Sequence, residues 1–278
     1  MKSIRLEVKY NDDIVNYLVN NTDYSKSKIK SLFKFKKVLV NNKVINKLPF
    51  NVKCNDIIQI NLEKKLDLSF EIIYEDNDII VINKKAGILT VSGMSGEVST
   101  LYRQVREYLN KKREQLFIVN RLDKETSGIV MFAKTERVKM MYQNSWNDLV
   151  TKRWYIAVVE GKIKKDGRIE NLLYEENNTF VHSSKIGKKA ITNYYVLKSN
   201  NKYTLLDIDI ETGRKNQIRV HMSELGYPIV GDKKYGSKID PIKRMCLHSY
   251  MLEIINPITR RKMSFSCEIP KVFDKFFK

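Results

Sequence analysis

Two apolar segments in the middle of the chain enclose a strongly charged link, in the stretch "FIVNRLDKETSGIVMFAKT". The segments are residues 117–119 and 129–133, and both have the composition of buried strands. The link between them carries four charged side chains, those of Arg121, Asp123, Lys124 and Glu125. A simple hairpin needs only a short polar turn with Gly or Asn. The charges therefore indicate either a solvated loop or a functional site. The other motifs of the sequence distinguish between these two interpretations.

Length and charge limit the kind of protein that this chain can be. Its 278 residues, of which 42% are hydrophobic, suffice for one large and one small soluble domain. Lysine and arginine number 51 against 32 aspartate and glutamate, which gives a formal net charge of +19. This excess favours a polyanionic partner, either a nucleic acid or an anionic membrane surface.

Cysteines and histidines suggest no metal or redox chemistry. Cys54, Cys246 and Cys267 are too far apart for a disulfide framework or a Cys-x-x-Cys metal site, and the three histidines are equally scattered. The N-terminal residues lack the apolar core of a signal peptide, and no apolar run reaches the roughly 18 residues of a membrane span. We therefore expect a cytoplasmic protein without a metal and without a membrane segment.

Residues 1–62 form a candidate domain of their own. After Ser25, a plausible N-cap, the apolar residues Ile29, Leu32 and Phe33 recur at helical spacing. The other positions of this helix carry lysines, namely Lys26, Lys28, Lys30 and Lys34. Short strands at residues 38–40 and 57–60 follow. A basic helix beside a small sheet is typical of a module that binds an RNA backbone, although a solvated lysine face has the same pattern.

The stretch "SKSKIKSLFKFKKVLVNNKVI" resembles the S-four-type RNA-binding domain in its order of serine, basic helix, Val-x-Val-Asn and turn. Asn42 stands where that family usually has a glycine. We predict that residues 1–62 are such a domain, that residues 63–70 are a linker, and that residues 71–278 form a second domain.

The second domain is predicted to be rich in strands with helices inserted between them. The apolar spacing predicts helices over about 100–112 and 136–149, a strand over 153–161, an antiparallel hairpin from 193–199 and 203–213, and a helix that ends at Gly226 and Pro228. On the first of these helices, Leu101, Val105 and Leu109 share one face.

Three residues in separate segments have the chemistry of a site. Asp123 lies in the charged link, Tyr155 alternates with apolar neighbours in "KRWYIAVVEG", and Arg219 lies on a helix beside Ile218. Taken singly, each has an ordinary interpretation, because aspartates in turns cap amides, strand tyrosines belong to cores, and helix arginines are exposed. Together they form a pocket only if the fold brings them to one place.

Four motifs together resemble the RluA family of pseudouridine synthases, and the resemblance covers residues 71–278. The motifs are "RLDKETSGIVMFAKT", "KRWYIAVVEG", "TGRKNQIRVHMSELGYPIVGDKKYG" and "LHSYMLEIINPITRRKMSFSCEIP". The resemblance implies an α+β fold, in which a small α/β RNA-binding domain precedes a catalytic domain. That catalytic domain would have a mixed, mainly antiparallel β-sheet with flanking helices.

The resemblance also implies roles for individual residues. Asp123 would be the catalytic nucleophile, Arg121 would contact RNA and hold the flipped nucleotide, and Tyr155 would lie against the uracil ring. Arg219 would pair with the carboxylate of Asp123, and Ile218 would form an apolar wall.

A further family motif, the "N-K-P-x-G" turn, is matched by Lys84, Lys85 and Gly87, although no proline is present and Ala86 shifts the match slightly. Lys84 and Lys85 in this turn would bind the substrate. Two other positions depart from the family, since Asn120 and Asn216 stand where histidines are usual.

Pseudouridine formation detaches uracil from its ribose and rejoins it through carbon five, so no atom is gained and no cofactor is expected. The target base must be flipped out of its stack, which costs roughly a few kcal/mol in paired RNA. A dry pocket disfavours an ionised carboxylate, and Arg219 beside Asp123 would favour it again. Attack on the ribose, attack on the base and proton removal from the ribose all stay open.

We expect a monomer that acts on RNA, with large-subunit ribosomal RNA ahead of transfer RNA. One alternative is a degenerate synthase that serves as an RNA-binding scaffold or ribosome-assembly factor. It would be indicated by loss of Asp123, Tyr155 or Arg219, and all three are present. Another is a serine hydrolase, but the chain lacks a Gly-x-Ser-x-Gly motif.

Overall fold

A computed structural model of the chain describes residues 3–34, 37–45, 47–61, 70–92, 100–177 and 180–278. The chain divides into two compact units, Met1–Leu68 and Ser69–Lys278. The predicted linker, residues 63–70, lies outside the described residues except for Phe70, which is buried. No helix in the part of the chain that the structure describes is long and apolar enough to cross a membrane.

The described residues of the first unit form two helices beside short antiparallel strands. The strands are β1 (Ser3–Glu7), β2 (Asp12–Asp13), β3 (Val38–Val40), β4 (Lys43–Val44), β5 (Asn51–Val52) and β6 (Ile57–Asn61). The helices are α1 (Ile14–Asn21) and α2 (Lys26–Lys34). One sheet has the order β1-β6-β3-β4, and β2 pairs with β5. A core of its own, which includes Ile14, Leu18, Ile29 and Ile58, fills this unit.

Local chemistry accounts for the helix α2 and for the turn after β3. Ser25 accepts a hydrogen bond from the backbone N–H of Lys28, as expected for an N-cap. Asn41 and Asn42 have φ values of +48° and +65°, and this left-handed pair suits a two-residue hairpin. Asparagine tolerates that conformation, which explains why Asn42 can replace the usual glycine.

The predicted lysine face of α2 is solvent-facing where the structure describes it. Lys26, Lys28 and Lys30 are exposed. Lys34 is the last residue of α2, and its side chain lies outside the described part. The apolar face with Ile29, Leu32 and Phe33 is buried, as the spacing predicted. Contact of the lysines with RNA stays a prediction.

The second unit is built on one large sheet. Its strands are β7 (Glu71–Glu75), β8 (Ile79–Lys84), β9 (Phe117–Ile118), β10 (Ser127–Ala133), β11 (Val150–Glu160), β12 (Gly167–Glu176), β13 (Phe180–Ser183), β14 (Lys188–Ser199), β15 (Tyr203–Ile210), β16 (Leu247–Ile255) and β17 (Lys262–Ser266). Its α-helices are α3 (Leu101–Asn110), α4 (Glu136–Asn144), α5 (Trp146–Leu149) and α6 (Gln217–Glu224). Short 3-10 helices cover Lys233–Tyr235 and Lys271–Phe277.

The strand order of this sheet is β13-β12-β14-β15-β11-β16-β10-β8-β7, with β17 paired to β16 and β9 to β10. Among the described strands, β10 and β16 pair in parallel and the other pairs are antiparallel. The predicted fold class, a mixed and mainly antiparallel sheet with flanking helices, is therefore confirmed.

Most predicted elements of the second unit are present, with shifted ends. Leu101, Val105 and Leu109 of α3 are fully buried, and β14 and β15 form the predicted hairpin. The predicted single helix over 136–149 is wrong in one respect, because the chain breaks into α4 and α5 at Ser145. This residue has φ −129° and ψ 38°, outside the helical region, and its N–H closes the last turn of α4 on the carbonyl of Met141.

Candidate active site

A cleft of about 1420 Å³ opens in the second unit beside the charged link. Its walls come from residues 116–124, from Tyr155 on β11, and from residues 213–219 at the start of α6. The three segments that the sequence singled out separately therefore meet in one cleft. Arg121, Asp123, Tyr155, Ile218 and Arg219 all line it.

The strand register places the charged link near Tyr155. Gly128 at the start of β10 is level with Ser249 on β16, and Ser249 is level with Tyr155 on β11. Adjacent strands lie about 4.8 Å apart, so the link ends roughly 10 Å from the backbone of Tyr155.

Asp123 and Arg219 form an ion pair within this cleft. The Nη1 atom of Arg219 lies 3.1 Å from Oδ2 of Asp123. The side chain of Asp123 keeps 32% of its surface exposed, whereas Arg219 keeps 11%. Both groups line the cleft, and the carboxylate is the more accessible of the two.

Hydrogen bonds hold the backbone around Asp123 in place. The hydroxyl of Thr90 donates to the carbonyl of Leu122 at 2.8 Å and accepts from the N–H of the same residue at 3.2 Å. On the other side, the N–H of Thr126 donates to the carbonyl of Asp123 at 3.2 Å, which closes a turn. The backbone around the carboxylate is thus held at Leu122 by the Thr90 hydroxyl and at the Asp123 carbonyl by Thr126.

Arg219 is positioned from its own side by the start of α6. The side chain of Gln217 accepts from the hydroxyl of Thr212 at 2.7 Å and donates to the carbonyl of Ile191 at 2.9 Å, which ties the helix to β14. Burial alone would lower the pKa of Arg219, but the hydrogen bonds and charges of Asp232 and Asp123 raise it above its ordinary value.

Tyr155 and Ile218 give the cleft its apolar walls. Burial raises the pKa of the Tyr155 hydroxyl, although the charge of Arg153 and a hydrogen bond with Ser249 oppose this shift. Tyr155 therefore stays neutral at physiological pH. Ile218 is buried and lines the cleft beside it. A flat apolar ring such as a nucleobase matches these walls.

Basic residues outnumber acidic residues along the cleft. The basic residues of the lining are Arg121, Lys124, Lys139, Arg153, Arg214, Lys215, Arg219 and Lys234. Among the described lining residues the carboxylates are Asp123 and Glu175, and Glu175 is paired with Lys215. A polyanionic strand would find phosphate partners on this rim. The sequence alone did not single out most of these basic residues, because they come from several distant segments.

Lys84 and Lys85 are not part of the cleft lining. Lys84 is fully buried, and its ammonium donates to the carbonyls of Lys85, Ile88 and Lys124 at 3.1, 2.7 and 3.0 Å. Burial lowers its pKa to about 8, opposed by the negative charges of Asp123 and Glu125. Lys84 thus stabilises the charged link through its hydrogen bond to the Lys124 carbonyl. Lys85 is exposed on the turn.

The two asparagines that replace histidines of the family both have hydrogen-bonding partners. The side-chain oxygen of Asn120 accepts from the N–H of Met131 at 2.9 Å. Asn216 has a φ of +55°, accepts from Nη1 of Arg219 at 2.7 Å, and donates to the hydroxyl of Tyr235 at 3.0 Å. Both amide side chains therefore make hydrogen bonds that stabilise the surrounding structure.

Asp232 is a site residue that the sequence reading did not identify. Its carboxylate, which is not among the cleft lining residues, binds the Nε and Nη2 edge of Arg219, with 2.7 Å from Oδ2 to Nε. It lies in the "GDKKYG" segment after α6, inside one of the four family motifs. A carboxylate that follows a glycine turn and ends up buried has no distinctive local signal.

Comparison with known proteins agrees with this geometry. The family model described as RNA pseudouridylate synthase matches residues 78–224. Ribosomal large subunit pseudouridine synthase D from Yersinia pestis is 31% identical over 274 residues, which cover 90% of this chain and 84% of that protein. The uncharacterized RNA pseudouridine synthase YjbO from Bacillus subtilis (strain 168) is 32% identical over 213 residues, or 75% of each chain.

Solved structures support the fold. Human RNA pseudouridylate synthase domain containing 1 superposes with a TM-score of 0.61 at 22% identity, over 72% of this chain and 84% of that one. The family model and the relatives of 31–32% identity show that the chain belongs to the RNA pseudouridylate synthase family. It is an isomerase that acts on RNA.

Proposed function

We propose that this enzyme converts uridine to pseudouridine in large-subunit ribosomal RNA, with Asp123 as the catalytic nucleophile. The observation that carries the proposal is the Asp123–Arg219 pair at 3.1 Å, reachable from a basic cleft with apolar walls. The names of several relatives specify the large ribosomal subunit, which favours that RNA over transfer RNA.

The reaction breaks the bond between ribose C1′ and uracil N1 and forms a bond between C1′ and C5. The hydrogen of C5 leaves as a proton and N1 gains one, so no cofactor is needed to balance the step. The flipped uridine would enter the cleft with its ring between Tyr155 and Ile218. Arg121 and the other basic rim residues would hold the flanking phosphates, which offsets the cost of unstacking.

Asp123 is the carboxylate suited to meet the nucleotide. Among the described residues of the cleft lining, the other carboxylate is Glu175, which is already paired with Lys215. Arg219 places a positive charge 3.1 Å from the Asp123 carboxylate, and a nucleophile or base has to be anionic to act. Tyr155 contributes a neutral ring face and excludes water from the reacting base.

We also propose that Lys26, Lys28, Lys30 and Lys34 on α2 contact the RNA backbone, as in an S-four-type domain, and that Lys85 in the second unit binds the substrate. The exposure of the first three lysines supports this assignment. The location in the cytoplasm and the monomeric state stay predictions.

The test of the proposed function is the variant Asp123→Asn. Asparagine keeps the size of the side chain but removes its negative charge, so we expect tritium release from uracil C5 to fall by at least ~10³-fold, about 4 kcal/mol of barrier. Binding of the RNA in a filter assay should change little. The matched control is Asp274→Asn, an exposed aspartate outside the cleft lining, which should keep full activity.

Two results would contradict the proposal. Near-normal tritium release by Asp123→Asn would show that the reaction does not need Asp123 as its nucleophile. Release from transfer RNA alone, with large-subunit ribosomal RNA unreactive, would leave the chemistry in place and overturn the assigned substrate. Pseudouridine maps of RNA from cells with and without the gene decide the second point.

A further inference from the structure

Arg219 is bound by two carboxylates, and Asp123 is the weaker partner. Asp232 uses both of its oxygens, with Nε to Oδ2 at 2.7 Å and Nη2 to Oδ1 at 2.8 Å. Asp123 contacts only Nη1, at 3.1 Å. A two-point contact fixes the plane of a guanidinium, whereas a single contact leaves it free to rotate.

Asp232 is also the more rigid of the two carboxylates. Its side chain is 2% exposed, against 32% for Asp123. Its backbone N–H donates to the carbonyl of Ile229, and its carbonyl accepts from the N–H groups of Tyr235 and Ser237. Asp232 therefore offers Arg219 a buried and fixed attachment point.

Asn216 and Tyr235 complete the surroundings of the guanidinium. Asn216 accepts from Nη1 at 2.7 Å, and the guanidinium carbon lies 4.8 Å from the ring centre of Tyr235. The Tyr235 hydroxyl in turn accepts from Asn216 at 3.0 Å and from the N–H of Val181 at 3.2 Å. With its edge and one face occupied, the guanidinium has a single orientation, and Nη1 points to Asp123.

We propose that Asp232 is a positioning residue of the reaction, which acts through Arg219. It aims Nη1 at Asp123 and shares the positive charge, so that the three side chains together keep one net negative charge. Asp123 then makes only one hydrogen bond to Arg219. Its carboxylate stays available for the reaction, which it would not be in a two-point ion pair. This inference rests on the proposed role of Asp123 and extends it to a residue without contact with the substrate.

The experiment compares Asp232→Asn, Asp232→Glu, Arg219→Met and the double variant Arg219→Met with Asp232→Asn. Single-turnover rates at saturating RNA, RNA dissociation constants and thermal midpoints are measured for each. We expect Asp232→Asn to lower the rate at least about 30-fold, with RNA affinity within about threefold of wild type. Asp232→Glu should recover part of the rate because it restores the negative charge.

The double variant separates a positioning role from general damage. If Asp232 acts only through Arg219, the double variant should react as fast as Arg219→Met alone, within about twofold. The thermal midpoint, unlike the rate, should differ between Arg219→Met and the double variant. Arg219→Met leaves Asp232 buried and unpaired, so adding Asp232→Asn should raise the midpoint again.

Glu253→Gln is the matched control. Glu253 is a buried carboxylate of the same unit, paired with Lys262 at 2.9 Å and with the hydroxyl of Thr151 at 2.8 Å, and it does not line the cleft. This variant should shift the midpoint while the rate of the folded protein stays the same.

An unchanged rate in Asp232→Asn, or a further 30-fold loss in the double variant, would overturn the positioning role. If the wild-type protein releases no tritium from any RNA tested, the proposed function fails instead. In that case the thermal midpoints still test the contact between Asp232 and Arg219. Midpoint losses that simply add in the double variant would show that the two side chains do not interact.

Discussion

Gly128 lies directly against the backbone of Ser249, so that a β-carbon on Gly128 would come within 2.0 Å of the Ser249 carbonyl oxygen. Gly128 also has a φ of +113°, a conformation that favours glycine. This contact is part of the parallel pairing of β10 with β16, where the charged link with Asp123 ends. The close approach therefore sets the distance between the link and the strand beside Tyr155.

The first prediction is that Gly128→Ala destabilises the second unit by about 2 kcal/mol or more, because the backbone strands have to separate. Urea unfolding measures this loss. Gly87→Ala is the control, since Gly87 has a φ of +83° but nothing within 4 Å of the added carbon. Its loss should be about 1 kcal/mol, from conformation alone. Equal losses in both variants would contradict the steric argument.

The second prediction concerns Lys84 and pH. Below its pKa of about 8, the ammonium has three N–H groups for three carbonyls, and above it the neutral amine has two. Loss of a proton weakens the hydrogen bonding of Lys84 to the Lys124 carbonyl in the charged link beside Asp123. The single-turnover rate should therefore fall several-fold above pH of about 8. Lys84→Met should be slower at every pH, and its rate should not show this fall above pH of about 8, the basic limb of the pH profile.

Stability should move in the opposite direction over the same range. The folded pKa of about 8 lies below the ordinary value of 10.5, so between these values the unfolded chain binds the extra proton. The free energy of unfolding therefore rises with pH in this window, by up to about 3 kcal/mol, relative to Lys84→Met. Lys134→Met, at another buried lysine, should keep the basic limb of the rate. A wild-type limb that persists in Lys84→Met would exclude Lys84 as its source.

Periodicity and motif order predicted much of this molecule. The buried face of α3, the hairpin of β14 and β15, and the lysine helix α2 follow from spacing, because local amphipathic patterns determine which face is buried. Tyr155, Ile218 and the Asp123–Arg219 pair do share a cleft, as the motifs indicated.

Lys84 and Asp232 show what the sequence could not reveal. A lysine in a turn is normally solvated, and the burial of Lys84 depends on the carbonyl of Lys124, forty positions away. Asp232 finds Arg219 only because the chain folds back after α6. Burial and partners of single polar residues arise from such distant contacts, so they leave no periodic signal.

The third prediction is that Asn120→His changes the turnover rate by less than about tenfold, roughly 1.4 kcal/mol of barrier. Asn120 holds the N–H of Met131 through its oxygen, and an imidazole nitrogen can accept the same bond. Single-turnover assays measure the rate. Asn120→Ala, which leaves that N–H without its acceptor, should instead lose about 1–3 kcal/mol of stability. A gain of several orders of magnitude in Asn120→His would mean that the native enzyme lacks a needed histidine.

The fourth prediction is that removal of residues 1–62 leaves a folded, active second unit that binds RNA more weakly. The first unit has a core of its own and exposes Lys26, Lys28 and Lys30 on α2. If these lysines contact phosphates, the salt dependence of binding should become shallower by roughly 0.7–0.9 in slope for each lost contact. Filter binding between low and moderate salt, together with a thermal melt, tests both parts.

A charge-matched pair of full-length variants locates this effect on α2. Lys26, Lys28 and Lys30 changed together to glutamine should reproduce part of the lost affinity and of the lost slope. The control changes Lys162, Lys164 and Lys165, which are exposed in the second unit and outside the cleft lining, and it should alter both quantities less. Because the two triple variants have the same net charge, equal losses would mean that RNA responds to overall charge and that α2 provides no specific contact.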